Sequence, residues 1–295
     1  MVFDVGGTGI KYAVMDDKFN MSSQGYAPTP TESFEDFSKL ICDVYKQHED
    51  EVEGIAMSIL GFVDSRNGKI TGGGNLQYNW GRNVAKDLED ICGCKVVIEN
   101  DGKSAAVAEY SVGSLQGCSN AAVIVLGTGV GGGLIINGEV FRGIHNTAGE
   151  FSFMNFDPDI IKGPTSFLAY HCSTRGMLDM YKKATGTDED IDGREFFRRL
   201  ESDEVAQKVL DDVAQNLAIV IFNLFWLLDV ERVAIGGGIS RQSILIDKIN
   251  EKFSSMISGH PQIDHLPVSD FRIVQATYGN DANLIGAYMT YKNRK

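Results

Sequence analysis

Residues 122–153 read AVIVLGTGVGGGLIINGEVFRGIHNTAGEFSF. The β-branched run Val123-Ile124-Val125-Leu126 predicts a buried strand. Gly127-Thr128-Gly129-Val130-Gly131-Gly132-Gly133 follows, then a second apolar run, Leu134-Ile135-Ile136, and Asn137-Gly138. Asn-Gly beside apolar runs is the strongest short hairpin signal, because both turn residues must take positive φ. The glycines therefore join strand to strand. Gly127-x-Gly129-x-x-Gly132 matches the dinucleotide fingerprint, but that site needs a helix after the glycines, with its N-terminus facing the pyrophosphate. A strand follows here, and no Gly-x-x-x-x-Gly-Lys-Ser/Thr occurs. Two readings stay open: bare N–H groups that approach phosphate oxygens, or a tight, bulged hairpin with no ligand.

The same pattern opens the chain. Val2-Phe3-Asp4-Val5 predicts a short strand, Gly6-Gly7-Thr8-Gly9 a turn, and Ile10 to Val14 a second strand with Lys11 at its start. Two such hairpins, far apart in sequence, suggest a duplicated unit. Asp4 is the informative residue, since a carboxylate at a strand end is costly unless it meets a metal, a donor or water. Thr8 and Lys11 offer a hydroxyl and a cation to a phosphate.

Length and composition narrow the class. At 295 residues the chain has room for two domains or one large one. Its net charge of −13 argues against nucleic acid and anionic membranes, which need basic patches. The apolar stretch Leu217 to Leu228 is interrupted by Asn223 and reads as too short to span a bilayer. Asp4 interrupts the N-terminus, so no signal peptide is expected. Five cysteines without a Cys-x-x-Cys pair point to a reducing, cytoplasmic compartment.

Between the hairpins, Phe34 to Tyr45 has helical spacing, Val52 to Leu60 is strand-like, and Gly61 ends it. Gly72-Gly73-Gly74-Asn75 begins a flexible loop tipped by Gln77, Tyr78, Asn79 and Trp80. Such a loop suits a sugar, or is plain surface. Val84 to Ile91 reads as helix, Lys95 to Ile98 as strand, and Lys103 to about Val112 as helix. Asp101 thus falls where a strand's carboxyl end meets a helix N-terminus. It is either an N-cap or a catalytic base, its charge favoured by the helix dipole. Glu150 is either a solvated charge or an acceptor for sugar hydroxyls. Ser166 to Lys183 reads as mainly helical. Gly236-Gly237-Gly238 is expected as a bare turn between the strand Val233-Ala234-Ile235 and a helix from Arg241, where a nucleoside or phosphate can approach. A boundary is expected at Gln116-Gly117. It divides the chain into a smaller N-terminal α/β domain, 1–116 with 282–295, and a larger C-terminal one, 117–281.

Asp4-Val5-Gly6-Gly7-Thr8-x-x-Lys11, Glu99-Asn100-Asp101, Leu126-Gly127-Thr128-Gly129-x-Gly131-Gly132-Gly133, Ala148-Gly149-Glu150 and Ile235-Gly236-Gly237-Gly238-Ile239 together resemble the ROK family of sugar kinases and repressors. The resemblance runs over nearly the whole chain. It implies two actin-like (ribonuclease H-like) α/β domains around a cleft, with ATP and Mg²⁺ against the glycine hairpins and a hexose deeper in. By position, Asp101 matches the catalytic base. Gly61, Asn75, Asn100, Glu150, Phe153 and Asp179 fall at sugar-binding positions. Asp4, Gly6, Gly7, Thr8, Lys11, Gly127, Thr128, Gly129 and Gly131 fall in the phosphate elements, and Gly237 and Gly238 in the nucleoside pocket.

The chain departs from that family at its zinc site. Members commonly supply a His soon after Ala-Gly-Glu and a Cys-x-Cys-Gly-x-x-Gly-Cys run. Here the positions hold Phe153, Tyr170, Cys172 and Met177, and the Glu after the run is Asp179. A zinc site usually needs four N or S ligands, so no structural zinc is expected. An aromatic at the His position resembles the zinc-free branch that includes β-glucoside kinases. Phe153 either faces the anomeric side of the sugar or packs into the core. The expected activity is an ATP-dependent kinase of a hexose 6-hydroxyl. The alternatives are a sugar-sensing repressor, whose helix-turn-helix would precede the first hairpin, and an inactive sugar-binding regulator. Expected partners are a sugar, ATP and a second copy of the chain.

Overall fold

A computed structural model describes residues 1–155, 160–263 and 270–294. The chain divides into two compact units, Met1–Ser111 with Arg142–Ala148 and Asp281–Lys295, and Val112–Phe141 with Gly149–Asn280. The first unit closes at Ser111 rather than at 116. It also takes in Arg142–Ala148, a segment expected in the larger domain, and within this unit Arg142 pairs with Glu99.

Unit 1 begins with β1 (Val2–Val5), β2 (Gly9–Met15) and β3 (Met21–Pro28), each antiparallel to the last. Helix α1 (Phe34–Lys46) follows, started by the Ser33 hydroxyl, which accepts the Asp36 N–H at 3.1 Å. β4 (Gly54–Ile59) then pairs parallel with β1. A small hairpin, β5 (Phe62–Asp64) and β6 (Lys69–Gly72), leads to α2 (Val84–Cys92). β7 (Lys95–Asn100) pairs parallel with β4, and α3 (Asp101–Val112) starts at the next residue. The sheet order is β3-β2-β1-β4-β7. Phe3, Phe37, Ile41, Met57 and Leu88 lie in its core. The edge strand β3, MSSQGYAP, carries no apolar alternation in sequence; pairing with β2 makes it a strand.

Unit 2 repeats that plan. β8 (Ala121–Leu126), β9 (Val130–Ile136) and β10 (Glu139–Phe141) are successive antiparallel neighbours. Asn137 (φ 52°) and Gly138 (φ 76°) form the expected positive-φ turn. After α4 (Leu168–Cys172), α5 (Thr174–Thr185), α6 (Gly193–Arg199) and α7 (Glu204–Leu228), β11 (Arg232–Gly237) joins β8 in parallel. α8 (Ser243–Ser258) and β12 (Arg272–Gln275) complete the order β10-β9-β8-β11-β12. Three antiparallel strands followed by two parallel ones is the order of unit 1, so the duplication read from the two glycine hairpins is present in the topology. The last helix, α9 (Ala282–Lys292), belongs to unit 1 and packs on β1, β4 and β7.

Three sequence expectations change. The helix expected over Ser166 to Lys183 is broken at Ser173 (ψ 160°), whose hydroxyl accepts the Gly176 N–H at 2.9 Å and starts α5. Gly236 and Gly237 end β11 instead of forming a bare turn, and α8 starts at Ser243 rather than Arg241. The apolar run ending at Leu228 belongs to a 25-residue helix. By length and composition it could cross a membrane, but its buried residues, Val213, Leu217 and Ile221 among them, lie in the core of unit 2. Its Asp211 is clamped by Lys252 at 2.5 Å and Lys248 at 2.9 Å of α8, which hold the carboxyl below its usual range.

Glycine is required where backbones converge on β8. A Cβ on Gly132 would lie 2.2 Å from the Val123 carbonyl oxygen and 2.6 Å from the Phe151 ring. Neither neighbour is a flexible tip. Gly132→Ala is therefore expected to destabilise the protein by about 1–3 kcal/mol, the cost of overpacking a filled site. Denaturant unfolding measures it; an unchanged midpoint would show that this hairpin yields.

Candidate active site

The β7–α3 junction gathers three of the residues expected at the sugar. Asn100 Nδ2 donates to the Gly61 carbonyl and to Asp101 Oδ1, both at 2.9 Å. Asn100 Oδ1 accepts the Lys103 N–H at 3.0 Å, and Asp101 Oδ1 accepts the Gly102 N–H at 2.8 Å. Gly61 stands at φ 112°, a conformation that side chains rarely adopt. Asp101 is the first residue of α3, not a cap ahead of a helix at Lys103, so the helix dipole acts on its carboxylate directly. The network fixes Oδ1 and with it the direction of the carboxylate.

Beside this junction, the turn after β1 carries the expected phosphate residues. The Gly6 N–H donates to the Gly9 carbonyl at 3.0 Å, and Thr29 Oγ1 donates to the Gly6 carbonyl at 2.7 Å. Thr8 and Lys11 are exposed. Asn75 is exposed and rests on this turn: its Nδ2 donates to the Gly7 carbonyl at 3.4 Å, and a Cβ on Gly7 would lie 2.8 Å from that Nδ2. Asp4 faces Lys11 across β1 and β2. Its Oδ1 accepts Asn283 Nδ2 at 3.0 Å and Ser58 Oγ at 3.2 Å. Burial pushes the Asp4 carboxyl pKa up, opposed by Asn283, Lys11 and Ser58. Neither partner was read from sequence. Ser58 carries a signal, a hydroxyl in the apolar strand GIAMSI; Asn283 carries none.

The loop after β6 is more tied than its composition suggested. Tyr78 OH donates to the Pro30 carbonyl at 2.6 Å, and Asn79 is buried. Trp80 keeps an exposed face while its indole N–H donates to the Gly73 carbonyl at 2.7 Å.

In unit 2 the Gly127 N–H donates to the Gly129 carbonyl at 3.0 Å and closes the β8–β9 turn, with Thr128 exposed at its tip. Ser152 holds the base of the hairpin, its Oγ accepting the Val130 N–H at 2.8 Å. Thr174 binds it from α5, N–H to the Gly127 carbonyl at 2.9 Å. Here lies a cavity of about 450 Å³ that includes Gly127, Thr128, Thr174, Asp179, Lys182 and Gly238. A second hollow of about 320 Å³ shares Thr174 and Gly238 and adds Gly193, Arg241 and Asn280. Gly237 (φ 91°) abuts the end of β8, where a Cβ would lie 2.2 Å from the Leu126 carbonyl oxygen, whereas Gly238 opens onto free space. Gly131, further along β9, is half-buried.

Asp179, expected at the sugar, lines the larger cavity with the residues expected for the nucleotide. The break at Ser173 starts α5 at the hairpin base, so Arg175, Leu178, Asp179 and Lys182 share one helix face toward that cavity. Arg175 Nε lies 3.8 Å from the Asp179 carboxylate. Glu150 precedes a single helical turn, Phe151–Phe153, and Phe153 is its last residue. Phe151 is buried against Gly132, while Phe153 is 57% exposed and meets Phe167 edge-on at 5.9 Å. The core reading of Phe153 is thus overturned, since Phe151 fills that place. Tyr170 is half-buried and Met177 buried; Cys172 is buried too, its thiol pKa pushed up by that burial.

Known proteins resemble this chain over nearly its whole length. The ROK family profile matches residues 1–294. A β-glucoside kinase of Listeria monocytogenes is 30% identical over 290 residues, covering 97% of this chain and 94% of its own. An N-acetyl-D-glucosamine kinase of Vibrio atlanticus is 29% identical over 301 residues, covering 97% of each. A ROK family glucokinase from Streptomyces griseus, solved with glucose and AMPPNP, matches with a TM-score of 0.82 at 26% identity, over 97% of this chain and 96% of that one. With the paired glycine hairpins, the Glu-Asn-Asp junction and a match over almost its whole length, the chain belongs to the ROK family and has the actin-like α/β fold of its sugar kinases.

Proposed function

We propose that this chain transfers the γ-phosphoryl group of ATP to the 6-hydroxyl of a hexose or hexoside. The observation that carries this reading is the β7–α3 junction, where Asn100 and the Gly102 N–H aim the Asp101 carboxylate. It is an ATP-dependent carbohydrate kinase: the relatives are named as kinases of sugars or glucosides, and the Streptomyces griseus glucokinase was solved with AMPPNP. Asp101 accepts the hydroxyl proton while the oxygen attacks the γ-phosphorus and the bond to ADP breaks. Gly61, Asn75, Asn100 and Glu150 would hold the sugar hydroxyls. The turns at Gly6, Gly7 and Thr8 and at Gly127, Thr128, Gly129 and Gly131 would present N–H groups to phosphate oxygens, with Lys11 adding charge, and Gly237 and Gly238 would line the nucleoside. Phosphoryl transfer asks mainly for such positioning and charge stabilisation. The cavity supports moving Asp179 from the sugar to the nucleotide side.

Asp4 suits a magnesium–phosphate complex. Mg²⁺ takes one or two carboxylates together with substrate phosphates. A strand-end carboxylate whose burial disfavours its charge, with both described donors on Oδ1, fits that need. Bound there, the ion would neutralise charge on the transferring phosphate. The apolar setting of Cys172 supports the absence of a structural zinc. All five cysteines are free, which supports a cytoplasmic location, and exposed Trp226 and Leu227 on α7 offer a face for a homodimer.

For the substrate, the exposed Phe153 with Phe167 supports an apolar wall near Glu150. A site that hydrogen-bonds a hydroxyl rejects analogues lacking it strongly, whereas an apolar wall discriminates weakly. The enzyme is therefore proposed to tolerate substituents at the anomeric carbon, with β-glucosides, glucose and N-acetylmannosamine as the classes to compare.

Asp101→Asn should lower kcat by on the order of 10²-fold or more while sugar binding persists, because the shape stays and the base is lost. Steady-state kinetics beside calorimetry tests it, and near-normal kcat would remove Asp101 from the role. For Asp4, the raised pKa fixes a sign. Its stabilising contribution is complete below the ordinary value of 3.8 and is lost as pH rises through the higher folded value. Asp4→Asn is thus expected to melt no lower than wild type at neutral pH, the difference closing in acid, while turnover is lost. Melting curves across pH decide, and a variant markedly less stable at neutral pH refutes it. Comparing kcat/KM for glucose, N-acetylmannosamine, cellobiose and methyl β-glucoside tests the wall. Efficient use of a monosaccharide with rejection of both β-linked compounds would close the anomeric side and leave the kinase standing.

A further inference from the structure

Glu99 takes no part in the chemistry above, yet it lies one residue from Asn100 and two from Asp101, with 0% of its surface exposed. Carboxylates are almost never buried to that degree without a partner. Side chains alternate along β7, and Val96 and Ile98 lie in the core cluster, so Glu99 points to the other face. There both of its oxygens are used. Oε2 accepts Arg142 Nε at 3.1 Å and Nη2 at 2.5 Å, and Oε1 accepts the backbone N–H of Asn100 at 3.0 Å. Asn100 is the last rung of the β4–β7 ladder, paired with Ile59, so this carboxylate binds the backbone just where the strand gives way to α3.

We propose that Glu99, clamped by Arg142, is a positioning residue that sets the Asn100–Asp101 junction; the proposal rests on the kinase reading above. If the Asn100 backbone turned, the bonds of its amide to Gly61, Asp101 and Lys103 would be lost together, and the direction of the Asp101 carboxylate with them. Arg142 is needed for two reasons. It sets a cation against a carboxylate with none of its surface exposed, and its fork brings two donors, Nε and Nη2, onto the single oxygen Oε2, which a lysine does not do. Arg142 also opens the stretch Arg142–Ala148 that unit 1 claims within a run of unit 2, and the Glu99 bond ties that stretch to β7. An ion pair that served stability alone would have no need to engage the N–H of a substrate-side residue.

The test uses Glu99→Gln, Arg142→Lys and Arg142→Ala in the full chain, with kinetics toward the preferred hexose, calorimetric sugar binding and melting temperatures. Glu99→Gln keeps an acceptor for the Asn100 N–H but sets a neutral amide against the guanidinium. The expected result is a fall in kcat of about tenfold or more, the scale of effect that small misplacements produce, with the KM for ATP within about twofold of wild type. Arg142→Lys should recover part of what Arg142→Ala loses. Folded variants whose kcat and sugar KM stay within about twofold of wild type would overturn the proposal. Should Glu99→Gln fail to fold, the two Arg142 variants decide, since Arg142 is partly exposed and its truncation admits water. A wild-type chain that phosphorylates no hexose sinks the kinase reading itself. An active wild type with unaffected variants sinks only the positioning role.

Discussion

The structure depends on backbone meeting backbone along β8. The carbonyl oxygens of Val123 and Leu126 stand 2.2 Å from where Cβ atoms of Gly132 and Gly237 would be, so two neighbouring strands approach β8 with no side chain between. The hairpin can then turn tightly enough for the Gly127 N–H to reach the Gly129 carbonyl, leaving Thr128 exposed at the tip. Thr174 and Ser152 bind the base of this turn and line up α5 and the Phe151–Phe153 turn around it. The surface of main-chain N–H groups proposed to bind phosphate costs little side-chain entropy to hold in place.

Unit 1 solves a different problem, that of holding carboxylates where the hydrophobic effect alone would not leave them. Glu99 has an arginine fork on Oε2 and a backbone N–H on Oε1, while Asp4 has two neutral donors and a lysine across the strand pair. The difference suits their proposed tasks. A carboxylate with both oxygens held by the protein keeps a shape, whereas one that burial leaves reluctant to ionise gains from a cation brought by a substrate. Stability given up at such sites is the usual accompaniment of function.

The two units show how far one topology can be read from its shortest signals. Strand–glycine–strand was legible twice, and Asn137-Gly138 marked the further turn from β9 to β10 through the positive φ that both residues adopt. The edge strand β3 was not legible, because half-exposed strands with polar sequences take their conformation from the neighbour they pair with. The break at Ser173 escaped as well. Serine is tolerated inside a helix and favoured at its start, and only the packing of α5 against the glycine turn shows which role it takes.

What the sequence determined by itself was the local chemistry: which strands are apolar, where glycine must stand, and that a carboxylate follows β7 at the head of a helix. Those properties are set within a few residues by sterics and hydrogen bonding. The tertiary structure decided which groups meet. Asn283 reaches Asp4 from the last helix, Arg142 reaches Glu99 from beyond β10, and α5 brings Asp179 to the cavity beside Gly127. Such pairings join residues distant in the chain. Each is fixed by the packing of whole elements, and no local pattern carries that information.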